Sequence, residues 1–408
     1  MPTLLQINTV VNSGSTGHIA ENIGKYVLTN GWESYIAYGR NPRSSESKLI
    51  QIGNKFDVLF HVLITRLFDL HGLASKRATK QLINEIKKIK PDVIHLHNVH
   101  GYYVNYKLLF TYLAENKIPI VWTMHDCWAA TGHCSHYIFV QCLMWTTGCK
   151  NCPQKKSYPK SVLFSATSYN YKAKKKYFNL LAENQLTLVC PSQWLADELG
   201  KSFLSHYRRF VVHNGIDLNV FSPINYTTTY NNQNSPKKNM ILGVASVWDS
   251  RKGLADFIKL ADIIDDNMEI VLVGLNQKQL KELPGKIRGM QRTESQVALA
   301  KLYSQALVFV NPTYEDTFPT TNLESLACGT PVITYRTGGS PEAIDEKTGI
   351  VVEVGSIDGI NKAIKKINVL GKKYFTESCI IRAKELFQKE IFTQKYFDLY
   401  QDLIKSNS

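Results

Sequence analysis

Residues 4–11, LLQINTVV, form a short apolar run rich in β-branched side chains, and the run ends in Gly14-Ser15-Thr16-Gly17. The next stretch, HIAENIGKYVLTNG (18–31), carries apolar residues at helical spacing and stops at Gly31. SYIAYG (34–39) then reads as a second strand. Strand, glycine loop, helix and strand in that order open a parallel α/β domain, because a parallel pair of strands needs a crossover helix.

The alternation continues outward from this opening. A basic helix over 76–90 stops at Pro91, and DVIHLHN (92–98) reads as a buried strand. NYKLLFTYLAENK is a helix and IPIVWTMHD (118–126) a strand. A cysteine-rich insertion at 127–152 interrupts the series. It resumes with the helix YNYKAKKKYFNLLAEN, the strand LTLVCPS (186–192) and a strand and turn in RFVVHNGID (209–217). Residues 222–240, polar and Asn-rich, read as a linker. Beyond it MILGVASV, GLADFIKLADII, MEIVLVG, QVALAKLYSQA, LVFVNPT, a helix near 320–328 and PVITY repeat the strand–helix alternation. The expected organisation is a first α/β domain over 1–221, a linker over 222–240 and a second α/β domain over 241–385. An aromatic-rich helix over 386–408 is expected to cross back onto the first domain.

The chain has 408 residues, with 44% hydrophobic and 20% charged, which excludes a disordered or fibrous protein. No apolar run of about 20 residues is present to span a bilayer. The opening residues lack the basic, apolar and cleavage segments of a secretory leader, so the expected address is the cytoplasm. Net charge is +14, and residues 1–220 hold 25 basic against 13 acidic residues. That excess suits an anionic partner: nucleic acid, lipid headgroups or a phosphorylated substrate.

The chemistry concentrates in residues 311–333, NPTYEDTFPTTNLESLACGTPVI. A strand ends in NPT, two acids follow, and a helix carrying Glu324 begins after a small polar run. The amides of 318–321 would sit at that helix's N-terminus, where first-turn N–H groups lack intrahelical acceptors and favour an anion such as a diphosphate. A carboxylate two turns in can accept ribose hydroxyls. Simple helix capping by Glu315 and Asp316 is the competing reading.

This segment resembles the acid-x7-acid signature of family 4 nucleotide-sugar glycosyltransferases, which retain anomeric configuration on the GT-B fold of two facing Rossmann-like domains with a cleft between them. Further matches occur in order along the chain: the glycine loop at 14–17, MHD at 124–126, HNGID at 213–217, Arg251-Lys252-Gly253, VLVG at 271–274, and Gly289 to Thr293. The resemblance implies an acceptor-side first domain and a donor-nucleotide second domain. Lys252, beside Arg251, would neutralise the donor diphosphate. Asp316, or Glu315 next to it, would contact the donor sugar, the eight-residue spacing to Glu324 favouring Asp316. Phe318, Pro319, Thr320 and Thr321 would bring backbone to the phosphates, Glu324 would bind the ribose, and His125 would touch the donor sugar. Gly14 and Gly17 would admit close backbone approach. Family members place Arg five residues before the lysine, where this chain has Val247. No Asp-x-Asp motif for a catalytic metal is present, and the family implies none.

Cys134, Cys142, Cys149 and Cys152 form a candidate structural zinc set, since Cys149-x-x-Cys152 has knuckle spacing; packed thiols and disulfides are the other readings. His95 and His97 alternate onto one strand face and read as core or cleft lining. The runs Lys76–Lys90 and Lys172–Lys176 are either solvated helix faces or contacts with an anionic membrane, at its inner face. The expected function is retaining transfer of a sugar from a UDP- or GDP-sugar to a saccharide or lipid-linked saccharide hydroxyl in surface polysaccharide assembly, with no cofactor. A nucleotide-sugar epimerase on the same fold and a zinc-bearing nucleic-acid-binding protein are the alternatives. No nucleic-acid-binding motif favours the last.

Overall fold

Strands buried on both faces need helices on both sides, and the computed structural model, which describes residues 1–224 and 238–407, has that layering twice. The chain divides into two units, 1–213 with 392–408, and 214–391. Most of the polar stretch read as a linker, residues 225–237, lies outside the described residues.

The first unit runs β1 (Thr3–Asn8), α1 (Gly14–Thr29), β2 (Glu33–Tyr38), β3 (Lys48–Gln51), α2 (Lys55–Phe68), α3 (Lys76–Ile89), β4 (Val93–Leu96), α4 (Tyr106–Asn116), β5 (Ile120–Thr123), α5 (Thr167–Phe178), β6 (Leu186–Cys190), α6 (Gln193–Gly200) and β7 (Arg208–Val211). Its sheet has the order β3-β2-β1-β4-β5-β6-β7, and every pairing is parallel. The second unit runs β8 (Asn239–Val244), α7 (Leu254–Ile263), β9 (Met268–Val273), α8 (Gln277–Lys281), β10 (Ile287–Met290), α9 (Gln296–Gln305), β11 (Val308–Asn311), α10 (Thr320–Ala327), β12 (Val332–Tyr335), β13 (Gly349–Val352), α11 (Ile357–Leu370) and α12 (Lys372–Leu386). Its order is β10-β9-β8-β11-β12-β13, again all parallel. A last helix, α13 (Lys389–Asn407), lies mostly in the first unit.

Period-two alternation splits the first sheet between two cores. Leu4, Val93, Val121 and Val189 face one side, where Ile19, Ile23 and Val27 of α1 meet Phe392, Tyr396, Phe397 and Tyr400 of α13. Leu5, Ile94, Ile120 and Leu188 face the other, against side chains of α3, α4 and α5. The aromatic residues of α13 fall at helical spacing on one stripe, and Tyr396 and Tyr400 each also find a polar partner. Tyr396 Oη lies 2.7 Å from Thr123 Oγ1, and Tyr400 Oη 2.6 Å from His95 Nδ1. Each strand order reverses once, β1 against β4 in the first sheet and β8 against β11 in the second. Loops leaving the carboxyl ends at such a reversal diverge to opposite faces and leave room for a ligand.

The structure adds elements absent from the sequence reading: β3, α2, α8, β10, β13, α11 and most of α12. β3 is an edge strand, largely exposed, so it lacks an apolar run. α2 is capped by Asn54, whose side chain accepts the amides of Phe56 and Asp57. The glycine loop is also shorter than read. Gly14 is already the first residue of α1, and Gly17 is buried within its first turns.

Candidate active site

The second switch point gathers charge. β8 leads to Asp249 and a short 3-10 turn, Ser250–Lys252; β11 leads to Pro312 and the acid pair. The two loops are laced by backbone, since Tyr314 N–H donates to Arg251 O at 2.7 Å. A glycine permits this closeness, and a second, after β12, lets another loop reach the acid pair. Gly253 has φ +75°, and a Cβ there would strike Pro312 O; Gly338 has φ +52°, and a Cβ there would strike Asp316 O.

Lys252 Nζ stands 2.6 Å from Asp316 Oδ2, both side chains partly exposed. The other Asp316 oxygen accepts the Phe318 N–H at 3.2 Å. That amide, expected to face a phosphate, is engaged by the carboxylate here. Glu315 differs from its neighbour: its side chain is fully buried, and Oε1 lies 3.4 Å from Arg251 Nη1. Arg251 also binds Asp249 Oδ2 through Nε at 3.1 Å and Nη2 at 2.8 Å. The expectation that Arg251 serves the donor as a second cation therefore meets a guanidinium already forked onto two carboxylates. Of the two acids, Asp316 is the one at the surface beside the lysine.

α10 begins at Thr320, so Thr320 and Thr321 lie in its first turn, after Pro319 at the cap. Glu324 follows one turn on, and its Oε2 accepts the Tyr303 hydroxyl at 3.0 Å. Burial raises its carboxyl to about 7, while that hydrogen bond acts the other way. Val247, at the position where an arginine was looked for, is exposed, whereas Trp248 is buried and donates to Val273 O at 2.9 Å.

The first switch point is built from neutral groups. His125 follows β5, and its Nε2 lies 3.1 Å from His97 Nδ1; the rings stack at 5.3 Å. His97 Nε2 lies 3.0 Å from Gln6 Oε1, and Gln6 Nε2 donates to Ala20 O at 2.8 Å. This order assigns the protons. Gln6 spends its amide on Ala20 and presents oxygen to His97, so His97 donates from Nε2 and accepts at Nδ1. His125 is then the Nε2–H tautomer, with Nδ1 an acceptor. Burial lowers His125 to about 4, so it is neutral at pH 7. Beside it, burial pushes Asp126 up, but His100, 2.9 Å away through Nε2, brings it down to about 2. The Tyr158 hydroxyl lies 3.0 Å from His100 Nδ1. Residues 97–100, 122–126, 128 and 129 line a small cavity here. His95 and His97 are buried, as core and lining. The sequence offered no sign of Gln6, which is far from His97 in the chain, or of Tyr158.

The cysteine insertion corrects the zinc expectation. Cys134, Cys142, Cys149 and Cys152 do line one small cavity, with Tyr137 and Trp145. Among the described residues, however, no group of three or more His, Cys, Asp or Glu donors is placed to hold a metal ion. The cysteines are free thiols; Cys149 Sγ accepts the Gly132 N–H at 3.2 Å. They pack as small apolar groups in the core. Lys174, from the supposed solvated run, is buried against this region. Its ammonium donates to Trp128 O at 2.6 Å and Thr131 O at 3.0 Å, over the Trp128 ring.

Comparison with known proteins places the chain in a family. Residues 17–220, half of the chain, match the model described as "Glycosyltransferase Family 4", and residues 227–379 match "Glycosyl transferases group 1". A curated relative from Escherichia coli K12, the putative colanic acid biosynthesis glycosyl transferase WcaC, is 23% identical over 98% of this chain and 100% of its own. Among solved structures, sucrose-phosphate synthase from Thermosynechococcus elongatus superposes with a TM-score of 0.71 at 17% identity, covering 100% of both chains. Anabaena HepE in complex with UDP-glucose superposes with a TM-score of 0.65 at 12% identity, covering 98% of this chain and 99% of its own. With two all-parallel Rossmann-like sheets, an acid pair and lysine at the second switch point and a family model spanning the first unit, this chain is a glycosyltransferase and belongs to family 4.

Proposed function

We propose that the enzyme moves a sugar, with retention of anomeric configuration, from a UDP- or GDP-sugar to a hydroxyl of a saccharide or lipid-linked saccharide, in surface polysaccharide assembly at the cytoplasmic face of a membrane. The observation that carries this reading is the Lys252–Asp316 pair at the ends of β8 and β11, followed by Glu324 in α10. When the bond from sugar C1 to the diphosphate oxygen breaks, negative charge grows on the leaving group. Lys252 and the first-turn amides of Thr320 and Thr321 receive it. Asp316 accepts donor-sugar hydroxyls, Glu324 the ribose hydroxyls, and Gly14, with open space around its α-carbon, admits backbone approach near the end of β1, while Gly17 lets α1 pack against the 10–12 loop. His125 is too weakly basic at about 4 to take a proton at neutral pH, so its Nδ1 acts as a hydrogen-bond acceptor. The acceptor oxygen bonds to C1 on the face the diphosphate leaves, and its proton passes to the departing phosphate oxygen. Lys252 supplies charge that a metal would otherwise bring, and turnover is expected to persist in EDTA. WcaC, by its name, points to polysaccharide assembly, and HepE was solved with UDP-glucose.

The test is a thermal-shift screen of nucleotide sugars, since a ligand of the native state raises its melting temperature. The stabilising donor is then turned over with acceptor, and the product anomer read by NMR. An inverted product removes the retaining assignment, and stabilisation by no nucleotide sugar removes the donor reading.

A further inference from the structure

α2 is inverted for a helix on a sheet. Its inner side buries the polar His61 and Thr65. His61 Nδ1 lies 2.8 Å from Ser75 Oγ, and its Nε2 accepts the Gly72 N–H at 3.0 Å. Its outer side presents Phe56 (81% exposed), Leu59, Phe60 and Leu63, the i, i+3, i+4, i+7 stripe that a helix ordinarily buries. Residues 162–164 extend that stripe. Val162 N–H donates to Arg66 O at 2.7 Å and Phe164 N–H to Leu67 O at 3.0 Å, and the Phe164 ring stacks on Phe68 at 5.8 Å. Val162, Leu163 (61% exposed) and Phe164 all point to solvent. An apolar ridge of this extent on a surface marks an interaction site.

Its flanks are cationic. Residues 55–68 and 155–164 contain Lys55, Arg66, Lys155, Lys156 and Lys160 against one acid, Asp57. Asp57 is spent on the helix cap, accepting the Asn54 N–H at 2.9 Å. We propose that this ridge docks the first unit on an anionic lipid bilayer, with the apolar side chains at the headgroup–acyl boundary and the lysines on the headgroups. A second copy would press the same cationic flanks together, so charge favours lipid over self-association. The basic runs of α3 and α5 expected to make this contact lack such a ridge.

Resting on the proposed lipid-linked acceptor, this deepens it. The 155–164 loop that meets lipid also carries Tyr158, whose hydroxyl touches His100 beside Asp126 and His125. One loop thus joins the bilayer surface to the acceptor-side cavity.

The experiment is co-sedimentation of the full chain with vesicles of equal parts phosphatidylglycerol and phosphatidylethanolamine, against phosphatidylcholine vesicles. The wild type is expected to pellet with the anionic vesicles, less so at high salt. The double variant Phe60→Glu with Leu163→Glu, both exposed, is expected to bind at least about tenfold more weakly. Turnover of a water-soluble acceptor and the melting temperature should stay unchanged in it. Equal vesicle binding by variant and wild type overturns the proposal. So does a wild type that ignores vesicles, or one that forms a dimer the variant breaks. Loss of soluble-acceptor turnover in the wild type would instead count against the enzyme reading alone.

Discussion

At the second switch point Lys252 and Asp316 stand 2.6 Å apart as an ion pair, whereas at the first His125 and His97 are held neutral by burial, His125 donating to His97 and His97 to the Gln6 carbonyl oxygen. A partly exposed ion pair costs little to keep ready and can exchange partners with an incoming anion. A buried imidazole relay cannot easily charge, but it fixes the direction in which each hydrogen bond runs. The two sheets share one topology, so the contrast arises in the loops: lysine and acids after β8 and β11, histidines and a glutamine around β4, β5 and β1. One site is suited to an anion, the other to neutral hydroxyls.

The largest expected effect breaks the charged half. Lys252→Ala should lower kcat about 100- to 1,000-fold, the usual loss on removing a preorganised transition-state charge, with the circular dichroism spectrum unchanged. His125→Ala losing as much would dissolve the contrast. Next, Glu324→Gln should weaken donor binding by about tenfold, the worth of a charge-assisted hydrogen bond, measured by calorimetry. The same carboxylate sets a pH dependence. With its folded value raised to about 7, it accepts ribose hydroxyls best when ionised, so wild-type donor affinity should rise with pH through about 7. The sign for the apo protein is opposite. A raised carboxyl favours the folded state at low pH, and that contribution is lost as pH rises through about 7. Glu324→Gln should therefore flatten the affinity profile and, near pH 8, raise the melting temperature of the free enzyme.

Smaller effects sharpen the neutral half. Gln6→Leu removes the acceptor that orients His97, and acceptor KM should rise a few-fold, about 1 kcal/mol, with donor affinity unmoved. A matching loss of donor affinity would show that the relay serves the other site. Tyr400→Phe removes the hydroxyl on His95 and should cost about 1 kcal/mol of stability, read as a melting shift of a few degrees with turnover intact.

Much of the fold was legible because its signals are local. Each buried strand is a short apolar run, and each crossover helix shows its own period. β3 and α2 escaped for opposite reasons. β3 is an edge strand half in solvent, and α2 turns its apolar side outward, so neither pattern says what the element does. The spacing of Asp316 and Glu324 was readable from one segment because a loop and the helix after it fix it. Arg251's partners were not readable, because its fork closes on Asp249, two residues away, and on Glu315, 64 residues away, a choice that spacing does not encode. The four cysteines illustrate the same gap. Their spacing suggested metal, while packing against Tyr137 and Trp145 made them part of a core.

The amino-acid sequence by itself determined the alternation of strand and helix, the two parallel sheets and the presence of lysine, acids and MHD histidine at loop positions, since these follow from periodicity and short-range order. Only the tertiary structure decided which acid faces outward, which way the hydrogen bonds point from His125 through His97 to Gln6, and which helix shows an apolar ridge to solvent. Those depend on burial and on partners distant in the chain, and a side chain's charge and direction are set by what surrounds it in space.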